Sequence, residues 1–229
     1  MLIDWSRIDL VMLDMDGTLL DLHFDNHFWR QLVPQRWAQA HGLDLAQAQA
    51  ELERRYHRER GRLSWYSVDF WSAELGLDLV ALKQTERARI RVRPQTLAFL
   101  QAVAASGRQR WLVTNAHHHS LALKLDVTGI GAHFDHILCS HTFAAAKESA
   151  AFWPALQARH PFQAQGCLLI DDSEEVLDAA LTYGIGQVLC IRQPDSQQAR
   201  RQHLRHPAID DFDDIMDSLC PLPGSRDDG

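Results

Sequence analysis

The stretch Ile8–Thr18 reads IDLVMLDMDGT, an apolar run followed directly by two aspartates, a glycine and a threonine. Nearly continuous apolar character over six residues is typical of a strand that is covered on both faces, as in a parallel sheet. In open α/β sheets, ligands bind beyond the carboxyl ends of the strands. Asp14 and Asp16 therefore lie where such a sheet would place functional groups.

Similar apolar runs recur along the chain and are separated by amphipathic stretches. The predicted strands are Ile8–Leu13, Arg110–Thr114, His136–Ser140, Cys167–Ile170 and Gln187–Ile191, and the predicted helices lie near residues 94–105, 117–126, 148–159 and 174–183. Alternation of strands and helices predicts an α/β fold with a doubly wound, Rossmann-like parallel sheet.

Residues 20–92 interrupt this alternation because they are rich in helix formers and tryptophans and contain no convincing strand. We expect residues 1–19 and 93–229 to form the α/β core and residues 20–92 to form an inserted helical domain. Residues 207–229 are predicted to be an acidic tail with a flexible end, since residues 210–229 hold seven aspartates against one arginine.

The composition excludes several classes of function. The 229 residues carry a formal charge of −7, most of it in this tail, so the chain has no basic surface for nucleic acid. No apolar run approaches the roughly 20 residues that a membrane span needs. The four widely spaced cysteines and the absence of a signal segment predict a cytoplasmic protein. Its oligomeric state is left open.

Polar residues follow four of the predicted strands and should meet at one edge of the sheet. They are Asp14, Asp16, Thr114, Asn115, Lys147, Asp171 and Asp172. Clustered carboxylates need a cation, and oxygen ligands beside a phosphate select Mg²⁺. Lysine and threonine side chains can hold phosphate oxygens. The set predicts phosphoryl transfer, in which positioning and charge stabilisation dominate.

The motif DMDGT, followed at spacings of 100, 33 and 24 residues by Thr114, Lys147 and Asp171, resembles the haloacid dehalogenase-like hydrolases that carry a helical cap. The resemblance implies that Asp14 is the nucleophile and Asp16 the general acid and base. It implies Mg²⁺ ligation by Asp14, the backbone carbonyl of Asp16, Asp171 and, through water, Asp172.

The same resemblance implies that Thr114 and Lys147 are catalytic residues that bind the substrate phosphate, and Asn115 is a further candidate substrate ligand. Lys147 is followed by Glu148, where the family usually has proline, so the match is weaker there. The second aspartate, Asp16, favours phosphoester hydrolysis, because the dehalogenases of the family lack it. A phospho-accepting signalling domain gathers similar residues but in a different order along the chain.

Two stretches of the cap, Asp25–Trp29 and Gly61–Trp71, resemble those of family members that hydrolyse purine nucleotides. This implies a purine nucleoside 5′-monophosphate, GMP or IMP, as the small-molecule substrate. Arg60, Trp65 and Tyr66 are the candidate ligands for the nucleoside, because aromatic rings can stack on a purine. A phosphatase or phosphomutase acting on a sugar phosphate remains the alternative.

His117, His118 and His119 follow Asn115 directly. Consecutive residues of a helix point in different directions, so we expect these rings not to converge on a metal and to lie at the surface or at a helix cap.

Overall fold

The computed structural model describes residues 2–219. Its centre is one six-stranded sheet in the order β3-β2-β1-β4-β5-β6, with every neighbouring pair parallel. The strands are β1 (Leu10–Leu13), β2 (Gln109–Thr114), β3 (His136–Cys139), β4 (Cys167–Asp171), β5 (Gln187–Ile191) and β6 (Ala208–Ile209). The five predicted strands are confirmed to within two residues at each end, and β6 is an addition.

Helices cover both faces of this sheet. Val11 and Leu13 of β1 pack into one hydrophobic cluster, while Leu10 and Met12 pack into the other, as the alternation of side chains along a strand requires. The first face is covered by α6 (Thr96–Ala105), α7 (His118–Thr128) and α10 (Asp213–Met216), and the second by α8 (Phe152–Arg159) and α9 (Glu174–Tyr183). The doubly wound α/β fold is therefore confirmed.

The insertion between β1 and β2 is helical. It contains α1 (His23–His27), a π-helical turn (Phe28–Leu32), α2 (Val33–His41), α3 (Leu45–Glu59), α4 (Val68–Leu75) and α5 (Leu79–Thr85). Asp44, Ser67 and Asp78 cap the N-termini of α3, α4 and α5 with side-chain hydrogen bonds, as expected for Asp and Ser at this position. None of the helices within residues 2–219 combines the length and the apolar character that crossing a membrane requires.

These helices have a hydrophobic cluster of their own, which includes Trp37, Leu52 and Trp71. The two chain segments that join the insertion to the core meet at an antiparallel bridge between Leu20 and Val92. The insertion is thus a separately packed layer attached through two adjacent connections, and we call it the cap.

The segment that was predicted to be an acidic tail from residue 207 onward is folded up to residue 219. It contains β6 and α10, and Ile209, Phe212 and Ile215 are buried in the core. Phe212 stacks on Phe99 of α6 with ring centroids 4.5 Å apart. Apolar residues placed between the aspartates explain this packing. The predicted flexible end, residues 220–229, lies outside the described residues.

Candidate active site

The parallel register brings the polar residues after β1, β2 and β4 to one edge of the sheet. Leu13 pairs with Leu112 on one side and with Ile170 on the other, so Asp14 lies between the ends of β2 and β4. Asp14, Thr114 and Asp171 are all buried there. The predicted convergence of these groups is therefore present in the fold.

Lys147 lies at the centre of this edge and is 1% exposed. Its Nζ donates hydrogen bonds to Asp14 Oδ1, to Asp171 Oδ2 at 2.7 Å and to the carbonyl oxygen of Val113 at 3.0 Å. Burial by itself lowers the pKa of Lys147, but the Asp14 and Asp171 carboxylates outweigh it and raise the pKa above its ordinary value. Lys147 is thus a fixed positive charge beside Asp14.

Asn115 and Tyr66 hold the segment that carries Lys147. The Oδ1 atom of Asn115 accepts a hydrogen bond from the backbone N–H of Lys147 at 2.9 Å, and its Nδ2 donates to Glu148 at 3.0 Å. The Tyr66 hydroxyl, which belongs to the cap, donates to the other oxygen of Glu148 at 2.9 Å. Asn115, predicted as a substrate ligand, therefore already positions Lys147, and Glu148 connects the cap to the core.

Asp16 is part of a second buried network that also reaches the cap. Lys124 of α7 is 1% exposed and contacts Asp16 at 2.7 Å and Asp25 of α1 at 2.6 Å. Asp25 also accepts a hydrogen bond at 3.0 Å from the buried Lys83 of α5. The Lys83 ammonium lies 4.4 Å from the centroid of the Phe28 ring, close enough for a cation–π contact. The network therefore runs from the sheet edge into the cap.

Burial raises the pKa of Asp16 above its ordinary value, although the Lys124 ammonium opposes this change. Asp25 differs, because Lys124 and Lys83 together overcome the effect of burial and lower its pKa to about 2. Asp16 can therefore hold a proton more readily than a free aspartate, whereas Asp25 stays ionised as the fixed anion of the network.

The acidic residues fit a divalent cation. Oxygen atoms of Asp14, Asp171 and Asp172 lie within 4.8 Å of one another. Burial and the neighbouring Asp171 charge raise the pKa of Asp172 to about 7, and burial raises that of Asp14 as well. Ionised carboxylates this close need positive charge in addition to Lys147, and oxygen donors suit Mg²⁺. The Asp16 carboxylate contacts Lys124 and is not part of this group of three carboxylates.

Gly17 lets the chain turn closely around this acidic cluster. Its φ is +86°, and a Cβ atom there would lie 2.8 Å from Asp172 Cγ and 2.9 Å from Pro194 Cβ. Both the backbone conformation and the contact require glycine. The following residue, Thr18, is fully buried beneath the turn.

A cavity of about 1350 Å³ lies between this edge and the cap. Its walls include Asp14, Asp16, Thr114 and Lys147 on the core side, and Trp29, Tyr56, Arg60, Trp65 and Tyr66 on the cap side. Trp65 packs edge-on against Tyr56 at 5.8 Å, so it both lines the cavity and belongs to the aromatic packing of the cap. Arg60 is 72% exposed and lies at the rim.

Sequence reasoning missed Lys83, Lys124 and the role of Glu148. One feature of the sequence could have indicated Lys124: it stands between Leu121 and Leu125, at helical spacing, on the buried face of α7. The three histidines lie where the sequence predicts, since His118 and His119 are exposed and His117 is the N-cap residue of α7. His117 precedes the first turn of α7 with a ψ of 150°, and its ring lies 5.3 Å from that of His119, near Asp69 of the cap.

The fold and the acidic sheet edge are those of the haloacid dehalogenase-like hydrolases, and the chain belongs to this family, whose model matches residues 8–184. The predicted family is therefore confirmed, and the protein is an enzyme of the hydrolase class. Over 217 residues it is 45% identical to the GMP/IMP nucleotidases YrfG of Escherichia coli strain K12 and Shigella flexneri, covering 95% of this chain and 98% of each relative.

A solved structure also resembles this fold. The HAD phosphatase of Thermococcus onnurineus superposes with a TM-score of 0.78 at 19% identity, covering 94% of this chain and 99% of that chain. Identity this low supports the fold only. The match nevertheless extends over the cap as well as the core, because it covers nearly the full length of both chains.

Proposed function

We propose that the protein is a Mg²⁺-dependent phosphatase that hydrolyses purine nucleoside 5′-monophosphates, GMP and IMP, to nucleoside and phosphate. One observation carries the proposal: Asp14, Asp16 and Lys147 lie at the floor of a cavity whose opposite wall is aromatic. The volume of about 1350 Å³ exceeds the roughly 300–1,000 Å³ of ordinary small-molecule pockets, so a nucleotide has room. The identity of 45% to GMP/IMP nucleotidases supports the choice of substrate.

In the first step, an Asp14 oxygen attacks phosphorus and the bond to the 5′-oxygen of the nucleoside breaks, which gives an aspartyl-phosphate. Lys147 is already hydrogen-bonded to Asp14 and offers a fixed charge to the phosphate oxygens. Thr114, buried beside Asp14, supplies a hydroxyl at the same edge. Mg²⁺ bound by Asp14, Asp171 and Asp172 would neutralise charge on the phosphate and on the carboxylates.

Asp16 carries the proton in both steps. In the first step it donates the proton to the leaving 5′-oxygen, and in the second it accepts one from the water that attacks the aspartyl-phosphate. Burial raises its pKa and favours the acid form, while the contact with Lys124 favours the ionised form. The two opposing effects suit a group that must change its protonation state once in each half of the reaction.

The cap recognises the nucleoside. Trp65 and Tyr66 offer aromatic surface to a purine, and Arg60 at the rim offers hydrogen-bond donors. A sugar phosphate would use little of this aromatic wall. The three cysteines within the described range, Cys139, Cys167 and Cys190, are free, which supports a reducing compartment such as the cytoplasm.

Phosphate release from a panel of substrates tests the proposal directly. The panel contains GMP, IMP, AMP, a pyrimidine nucleotide and several sugar phosphates, each with Mg²⁺ and after chelation. We expect the highest kcat/KM with GMP and IMP and loss of turnover on chelation. Preference for sugar phosphates would overturn the substrate assignment, and full rates without a divalent cation would overturn the role of Mg²⁺.

The Asp14→Asn variant tests the nucleophile. We expect it to fold as the wild type does and to lose at least about 10³-fold in turnover, because an amide does not attack phosphorus. Borohydride reduction during turnover should convert the phosphorylated Asp14 of the wild type to homoserine, detectable by peptide mass spectrometry. Turnover that survives the substitution would contradict the assignment.

A further inference from the structure

A group of three side chains that could ligate a metal lies apart from the acidic cluster of Asp14, where the cap meets the core. Asp69 belongs to the first turn of α4 in the cap, and His117 and His119 belong to the start of α7 in the core. Because His117 has extended rather than helical backbone, its ring can turn toward the same point as the ring of His119 two residues later. The ring centroids lie 5.3 Å apart.

The distances among these side chains suit coordination better than direct hydrogen bonding. His119 Nε2 lies 3.4 Å from Asp69 Oδ1, and His117 Nε2 lies 3.6 Å from Asp69 Oδ2. Both exceed the usual 2.7–3.2 Å of an N–H···O hydrogen bond. A tetrahedral ion with bonds of about 2.0–2.1 Å separates its ligand atoms by about 3.3–3.4 Å, which is close to each of these two distances, although they reach different oxygens of the Asp69 carboxylate. One atom from each residue lies within 4.8 Å of the others.

The kinds of donor indicate which ion would bind. Two imidazole nitrogens and one carboxylate oxygen form a set typical of Zn²⁺ and its neighbours in the first transition row, whereas Mg²⁺ prefers oxygen. Burial lowers the pKa of His117, so this ring is available as the neutral ligand near pH 7. The ring of His141 packs edge-on against His117 at 4.9 Å and restricts its orientation.

We propose that Asp69, His117 and His119 bind a transition-metal ion such as Zn²⁺, and that this ion fastens the cap to the core. Asp69 and His119 are 63% and 52% exposed, so the ion can enter from solvent. His117 lines the wall of the large cavity, so the link forms at the edge of that cavity. The site is separate from the acidic cluster of Asp14 and does not depend on the proposed phosphatase activity.

Titration of the tag-free, full-length protein with Zn²⁺ and with Co²⁺, in excess Mg²⁺, tests the site. We expect one Zn²⁺ per chain by calorimetry and the visible absorption of tetrahedral Co²⁺. His119→Ala and Asp69→Asn should each weaken binding at least about tenfold, since even the loss of groups behind the ligands has effects of this size. Both side chains are largely exposed, so neither substitution disturbs a packed core.

His118→Ala is the matched control, because this exposed neighbour shares the histidine run but is absent from the group around Asp69. It should bind Zn²⁺ as the wild type does. Equal binding by all four proteins, or equal loss in His118→Ala and His119→Ala, would overturn the site. Absence of Zn²⁺ binding by the wild type would overturn it as well.

Hydrogen exchange tests the link between cap and core. Zn²⁺ should slow the exchange of α4 amides in the wild type and in His118→Ala but not in Asp69→Asn. Stoichiometric Zn²⁺ binding without protection of α4 would overturn the proposal that the ion fastens the cap.

Discussion

Lys147 and Lys124 are both buried, and each contacts two carboxylates, but different parts of the chain supply those carboxylates. Lys147 joins Asp14 and Asp171, which both follow strands of the core sheet. Lys124 joins Asp16 of the core to Asp25 of the cap. The group proposed to attack phosphorus is therefore held entirely by the core, whereas the surroundings of the proposed acid and base depend on where the cap lies.

Replacing Lys147 by methionine should have the largest effect of the substitutions at these two lysines. It removes the fixed charge beside the attacking oxygen, and losses of about 10²–10³-fold in kcat follow the removal of one such stabilising group. Because the lost charge acts on the phosphate, the decrease should be similar for a nucleotide and for p-nitrophenyl phosphate. Steady-state kinetics on both substrates measure it.

The same variant leaves Asp14 and Asp171 without their shared cation, so the protein should also lose stability. Mg²⁺ should restore part of this loss, which thermal melting with and without the ion would detect. Turnover near the wild-type rate would show that Lys147 has no part in the chemistry.

Lys124→Met should have a smaller effect on turnover, and the effect should depend on the leaving group. Loss of a hydrogen bond between charged groups is worth about 1.5–3 kcal/mol, or about 10- to 100-fold in rate. If Lys124 positions Asp16, the loss falls on the proton transfer to the leaving group. A nucleotide, whose leaving alkoxide needs that proton, should then suffer more than p-nitrophenyl phosphate.

Lys83→Met is the control for this experiment, because Lys83 pairs with Asp25 and its charge affects Asp16 less than that of Lys124. It should lower thermal stability with little selectivity between the two substrates. If Lys124→Met lowered kcat equally on both substrates, a positioning role for Lys124 would be contradicted. Its effect would then follow the pattern expected for Lys147→Met.

The acidic cluster predicts a pH-dependent response to Mg²⁺. The pKa of Asp172 is raised to about 7 from an ordinary value of 3.8, so between these pH values the folded chain holds more protons than the unfolded chain. Stability without a divalent cation should therefore fall as pH rises through this window. Mg²⁺ favours the ionised carboxylates and should raise Tm more near pH 8 than near pH 5.

At a Mg²⁺ concentration of about 100 times Kd, the increase in Tm near pH 8 should be about 5–10 °C. Scanning calorimetry at both pH values measures it, and Asp172→Asn should flatten the pH dependence. An equal increase at the two pH values would show that protons and Mg²⁺ do not compete for this cluster.

The sequence predicted the carboxylates around Lys147 but not the contacts of Lys124 with the cap. Asp14 and Asp171 follow apolar strands, and the parallel sheet brings strand ends together, so local pattern and fold class were enough. Lys124 and Asp25 lie on separate helices 99 residues apart. Their contact depends on how the cap sits on the core, which the hydrophobic pattern of neither helix encodes.

The histidines and the C-terminal segment show the same limit. Helical periodicity treats the three histidines as consecutive residues of one helix, whereas His117 is the cap residue before the helix and its ring lies near that of His119. The run of aspartates after residue 207 predicted an acidic tail, but Phe212 and Ile215, which lie among these aspartates, are buried in the core. The backbone conformation of His117 and the burial of Phe212 and Ile215 decide how these two segments are placed. Neither property can be predicted from helical periodicity or from composition averaged over a segment.

Tyr66→Phe should give the smallest effect of these substitutions, and it tests the hydrogen bond between Tyr66 of the cap and Glu148 of the core. It removes the hydrogen bond from the cap to Glu148, worth about 0.5–1.5 kcal/mol, so kcat/KM should fall about two- to tenfold. Because Asn115 still holds Glu148 and Lys147, we expect KM to rise while kcat changes little. Tyr56→Phe is the matched control, since within residues 2–219 the Tyr56 hydroxyl donates its hydrogen bond to the Trp29 carbonyl inside the cap, at 3.5 Å. If both variants changed KM equally, the effect would come from the aromatic wall rather than from the contact across the cavity.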